Sequence, residues 1–113
     1  MTTDNAPPPA GESITLALDI GASAKLPDGS QLTYMVLVND SRCPPDVQCI
    51  WAGNAEIRVR WTPKNGNGKD FSLNTTPVGG KATSATLGAF EIHLHSLERG
   101  IAPAATFEIR PAR

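Results

Sequence analysis

Alternation of apolar and polar side chains recurs along this chain and limits the fold more than any other feature, because a period of two suits a half-buried strand and no helix. The clearest case spans 55–62, where Ala55, Ile57, Val59 and Trp61 alternate with Glu56, Arg58, Arg60 and Thr62. Similar sets are Ile14, Leu16, Leu18 and Ile20; Leu32, Tyr34, Val36 and Val38; Phe90, Ile92 and Leu94; and Phe107 with Ile109. Each set is expected to face a core. Met35 and Leu37 make 31–39 apolar on both sides, which places that strand centrally in its sheet or under partial cover.

Ten glycines and ten prolines punctuate these segments, as turns between short strands require. Leu26-Pro27-Asp28-Gly29-Ser30 reads as a turn. The pairs Asn65-Gly66 and Asn67-Gly68 predict a hairpin whose glycines supply positive φ, with 71–75 returning as the partner of 55–62. The run 77–80 breaks the chain again. No segment carries a helical apolar stripe. Six or seven short strands therefore predict a two-sheet antiparallel β-sandwich, immunoglobulin-like in architecture, with about seven strands and one local disulfide. The domain is expected over 13–113, after a disordered Pro-rich linker over 1–12.

Ten Lys and Arg against eleven Asp and Glu leave a formal charge of -1, so no basic field exists for nucleic acid. The longest apolar run, 34–38, has five residues, far short of a spanning helix. A monomer without a transmembrane segment is expected. Cys43 and Cys49 enclose Pro44 and Pro45, which suggests a disulfide around a stiff loop and hence an oxidising compartment. Closing that loop would stabilise the fold by about 2 kcal/mol in a chain-entropy model. Two reduced thiols in a cytosolic protein are the alternative.

Glu91, His93 and His95 alternate along one predicted strand, so their side chains share a face, and two imidazoles with a carboxylate suit copper or zinc. The plainer reading is the solvated face of a strand whose other side is Phe90, Ile92 and Leu94. Arg58, Arg60 and Glu56, beside Glu108 and Arg110, read similarly as cross-strand charge pairs or as a recognition stripe. No nucleophile elbow or phosphate-binding glycine loop is present. Asn74-Thr75-Thr76 is a formal glycosylation sequon.

Residues 40–53 read DSRCPPDVQCIWAG. This resembles the signature D-S-R-C-P-x4-C-x-W-x-G of a family of uncharacterised bacterial secreted proteins and lipoproteins, matched at Asp40, Ser41, Arg42, Cys43, Pro44, Cys49, Trp51 and Gly53. The resemblance implies an exported, periplasmic or extracellular domain with Cys43 bonded to Cys49, and it brings no known reaction. Such proteins follow a signal peptide or lipobox, so the chain is expected to be a mature form whose start is a tether. Physically, Asp40 and Ser41 suit turn hydrogen bonds, Pro44 and Pro45 restrict φ, and Trp51 suits a cover over the disulfide. Arg42 either pairs with Asp40 or Asp46 or points outward for recognition. The expected function is a non-catalytic envelope domain that binds an unknown protein or envelope ligand, or plays a structural part, without a cofactor. A metal-binding module for copper or zinc through Glu91, His93 and His95 is the alternative.

Overall fold

The computed structural model describes residues 13–43, 53–77 and 80–111. The alternating segments form strands β1 (Ile14–Leu18), β2 (Ser23–Lys25), β3 (Gln31–Asp40), β4 (Ala55–Thr62), β5 (Lys69–Asn74), β6 (Ser84–Leu87), β7 (Phe90–Leu97) and β8 (Ala105–Pro111). They make two antiparallel sheets of four strands, ordered β1-β8-β7-β6 and β2-β3-β4-β5. No described segment forms an α-helix, and no helix is long and apolar enough to cross a membrane. The described strands number eight where about seven are expected. The addition is β6, too short at four residues for its alternation to stand out. The expected linker over 1–12 lies outside the described residues.

Apart from the β1–β8 pair, every ladder joins strands consecutive in sequence, and the chain changes sheet between β1 and β2 and between β5 and β6. That order is an up-and-down arrangement opened at two seams. Antibody-type domains interleave their strands between sheets instead, so the immunoglobulin likeness ends at the two-layer architecture. Between the layers sits one core, with Leu32, Tyr34, Ile57, Val59 and Leu73 from one sheet against Ile92, Leu94, Phe107 and Ile109 from the other. Tyr34 and Phe107 meet across it edge to face, with ring centroids 6.5 Å apart.

β3 departs from its expected pattern. Leu32 and Tyr34 are buried, but Val36 and Val38 are 43% and 44% exposed, while Leu37 packs against the core. The ladder to β4 slips between Tyr34 and Val36 and again between Leu37 and Asn39. Each slip inserts a residue without a partner, and the first reverses which side chains face inward. After the second, Asp40 stands opposite Ala55. A comparable slip at His95 in β7 leaves both His95 and Ser96 exposed and returns Leu97 to the core.

The turns follow local chemistry with one exception. Gly29 donates its N–H to the Leu26 carbonyl at 2.9 Å with φ +88°, and the Asp28 carboxylate accepts from the Ser30 N–H at 2.9 Å. Gly88 opens the two-residue β6–β7 turn at φ +61°, where an added Cβ would lie 2.8 Å from the Trp61 ring. The predicted β4–β5 hairpin forms, but neither Gly66 nor Gly68 has a positive φ. Six residues, 63–68, close it, a loop long enough to reverse the chain without the left-handed geometry of a two-residue turn.

Candidate functional site

The Asp40–Gly53 motif lies where β3 leaves its sheet and β4 enters it. Beyond the second slip in β3, Arg42 reaches the neighbouring sheet. Its Nη1 donates to the Leu97 carbonyl at 2.6 Å and its Nη2 to the Glu98 carbonyl at 2.7 Å. The same guanidinium grips Asp40 in a fork, Nε to Oδ1 at 2.9 Å and Nη2 to Oδ2 at 2.7 Å. Asp40 Oδ1 also accepts the Arg42 backbone N–H at 3.2 Å. These side chains are only 12% (Arg42) and 27% (Asp40) exposed. The hydrogen-bonded guanidinium holds the Asp40 carboxyl below its ordinary value, and Asp40 raises that of Arg42. Of the roles open to Arg42, pairing with Asp40 is the one the geometry displays, and its guanidinium turns inward to carbonyls of the other sheet.

Ser41 faces the other arm of the same connection. Its N–H donates to the Asn54 carbonyl at 2.7 Å and its hydroxyl to the same oxygen at 2.9 Å. Gly53 passes so close that an added Cβ would lie 2.1 Å from the Ser41 carbonyl oxygen and 2.7 Å from the Arg42 Cα. Only glycine fits there. The Asn54 side chain then reaches the end of β5, donating from Nδ2 to Asn74 Oδ1 at 2.9 Å and accepting the Thr76 N–H at 3.1 Å. Thr76 Oγ1 donates to the Gly53 carbonyl at 2.9 Å, and Thr75 Oγ1 accepts the Ala55 N–H at 3.0 Å. Asn74 is 4% exposed and gives its amide to the Ala82 carbonyl at 2.9 Å, which bridges the β5–β6 seam. That amide is committed to the fold, so the sequon serves structure and offers no glycan attachment.

These connections and the β7–β8 loop surround an open cleft of about 310 Å³ lined by Arg42, Cys43, Gly53, Thr75, Thr76 and Arg99. Arg99, two residues beyond β7, is exposed and makes no hydrogen bond or close ion pair among the described residues, while its charge contributes to lowering the Asp40 pKa. Two residues on, Ile101 is 99% exposed. No free cysteine stands among the described residues. Cys49, Pro44 and Trp51 lie outside them, as does Asp46.

Elsewhere the sequence candidates separate. Glu91 stands opposite Arg110, with their charged atoms 3.9 Å apart, and Arg110 also lies 3.8 Å from Glu108. His93 is opposite Glu108, and His95 occupies the slipped position of β7. Among the described residues no group of three or more His, Cys, Asp or Glu is gathered as metal ligands would be. On the other sheet Arg60 pairs with Asp70 at 2.6 Å, and Arg58 stands between Val36 and Ser72. Of the stripe, Arg60 and Arg110 pair across strands and Glu108 lies beside Arg110 on its own strand, whereas Glu56 and Arg58 face neutral neighbours and the two groups stand on different sheets.

Sequence reasoning singled out neither Asn54 nor the roles of Asn74, Thr75, Thr76 and Arg99. For the first four the signal lies in the strand register, which only the fold displays. The β4–β5 register pairs Glu56 with Asn74, and extending it by two residues sets Asn54 opposite Thr76. For Arg99 no local pattern pointed to a cleft. No protein-family model, curated protein or solved structure matches the chain.

Proposed function

We propose that this chain is a non-catalytic, exported domain of the bacterial cell envelope that meets a protein or envelope ligand at the end of the fold built from 40–43, 53–54, 75–77 and 98–104. It belongs, on this reading, with the proteins whose D-S-R-C-P-x4-C-x-W-x-G signature its residues 40–53 resemble, and Cys43 and Cys49 form a bridge. One observation carries the reading: the motif's described polar groups are engaged with one another and with backbone, which holds an open cleft while Arg99 and Ile101 remain exposed beside it. Groups so engaged suit a rigid presenting surface better than proton transfer or nucleophilic attack. The absence of a free thiol among the described residues supports the bridge.

Two experiments test this. Protein recovered from its native host and alkylated without reductant should take no label, and two labels after reduction; two labels before reduction would overturn export. A photo-crosslinking side chain at position 99 should give adducts in intact cells that one at position 66 does not. Equal yields from both positions would remove the cleft end as the binding surface. The metal alternative requires localised, saturable NMR shifts at His93 and His95 on titration with Zn(II) or Cu(II), where the present reading expects none.

A further inference from the structure

Residues 63–68 carry two Asn-Gly pairs, and neither glycine takes a positive φ, so a left-handed turn position does not account for them. Residues 64–68 are all exposed. The chain turns at Lys64 and Asn65, but the Gly66 and Gly68 nitrogens make none of the loop's backbone hydrogen bonds, and neither the Asn65 nor the Asn67 side chain has a partner among the described residues. Glycine also leaves its own nitrogen unshielded by any side chain. These are the conditions for an asparagine to be attacked by its own backbone.

We propose that Asn65 is a site of spontaneous deamidation, with Asn67 following more slowly. The Gly66 nitrogen loses its proton to solvent base and attacks the Asn65 side-chain carbonyl carbon. A C–N bond forms, the amide nitrogen leaves as ammonia, and a five-membered succinimide remains. Water then opens either carbonyl of that ring, giving aspartate or isoaspartate, so that asparagine and water become an acid and ammonia. Each event adds one negative charge to a chain whose formal charge is -1.

The order follows from packing. An added Cβ at Gly68 would lie 2.9 Å from Thr62 Oγ1 and 3.0 Å from the Arg60 chain, so that glycine is held against β4 next to the first ladder pair, Trp61 with Lys69. Gly66 touches only the Pro63 ring of its own loop. Other described asparagines are protected. Asn54 and Asn74 commit their side-chain amides, and the next nitrogens are bonded, Ala55 N to Thr75 Oγ1 and Thr75 N to the Ala55 carbonyl. Asn39 lies within β3 and precedes Asp40, whose side chain hinders attack. β4 runs its whole length between the reactive loop and the Arg42 corner, so the modification changes charge without touching the cleft.

The test incubates the full folded chain in mildly acidic and mildly alkaline buffer and follows anion exchange, intact mass and enzymatic isoaspartate detection. Acidic species should accumulate faster at the higher pH, and Asn65→Gln should remove the first to appear. The variant carrying both Asn65→Gln and Asn67→Gln should form almost none. Failure of the wild type to acidify, or persistence of the acidic species in the double variant, overturns the proposal, and appearance of the Asn67 product first overturns its order. All variants lie on an exposed loop, and cooperative thermal unfolding of each verifies the fold.

Discussion

The connection that enters β4 and the one that leaves it are made from the same materials. Each has a glycine in close contact and an arginine–aspartate fork at its base, Arg42 with Asp40 in one and Arg60 with Asp70 in the other. The difference lies in what surrounds the fork. Arg42 adds to its carboxylate the Leu97 carbonyl of the opposite sheet and the Glu98 carbonyl just beyond it, with little of the side chain left in water. Arg60 and Asp70 are 47% and 41% exposed and pair only with each other. An ion pair therefore holds tertiary structure when the guanidinium also satisfies backbone that would otherwise be stranded, and contributes little when water competes for both partners.

Glycine replacement should separate the two connections most strongly. Gly53→Ala drives a Cβ into backbone that cannot yield, and a loss of about 3 kcal/mol in chemical denaturation is expected. Gly66→Ala meets only the Pro63 ring at 3.0 Å with an ordinary φ, and should change stability by no more than about 0.5 kcal/mol. Equal effects would mean that the corner is not rigid. Next, Arg42→Ala removes the donor to the part-buried Leu97 carbonyl and leaves the Asp40 carboxylate unpaired, and should destabilise by about 2 kcal/mol. Arg60→Ala should leave the denaturation midpoint unchanged.

A smaller effect tests the cross-sheet tie above the core, where the buried Tyr34 hydroxyl donates to the Pro103 carbonyl at 3.0 Å. Burial raises the Tyr34 pKa, so the group stays a neutral donor through neutral pH. Tyr34→Phe removes that donor and should lower stability by about 1 kcal/mol without disturbing the packing against Phe107. The smallest effect is in pH. Asp40 has its pKa lowered from 3.8 in the folded protein, chiefly by the hydrogen bond from Arg42. Its stabilising contribution is thus fully present above 3.8 and is lost as pH falls through the lowered folded value. The stability gap between wild type and Asp40→Asn should be constant from neutral pH to mild acid and close in stronger acid. A gap that widened on acidification would contradict the geometry of the fork.

The corner also shows how far the sequence could be read. Asp40, Ser41, Arg42 and Gly53 stand out in a motif, and turn chemistry explains why such residues gather there. Which carbonyls Arg42 reaches was not legible, because Leu97 and Glu98 lie more than fifty positions away and approach only when the sheets pack. Val36 and Val38 make a related point. Alternation assigned them to the core, yet the slips against β4 turned them outward, since the position of a bulge depends on the facing strand as much as on the bulged one. The Asn-Gly pairs marked the β4–β5 loop correctly but for a geometry that a six-residue connection does not use.

Sequence by itself determined the all-β character, most of the strands and most of the buried side chains, because period-two alternation and turn-forming residues act within a few positions of one another. Tertiary structure alone decided the up-and-down order of two four-stranded sheets, the reversal along β3, the inward turn of Arg42 and the cleft beside Arg99. Each of these depends on contacts between segments distant in the chain, whose free energy exists only once both strands and both sheets are in place.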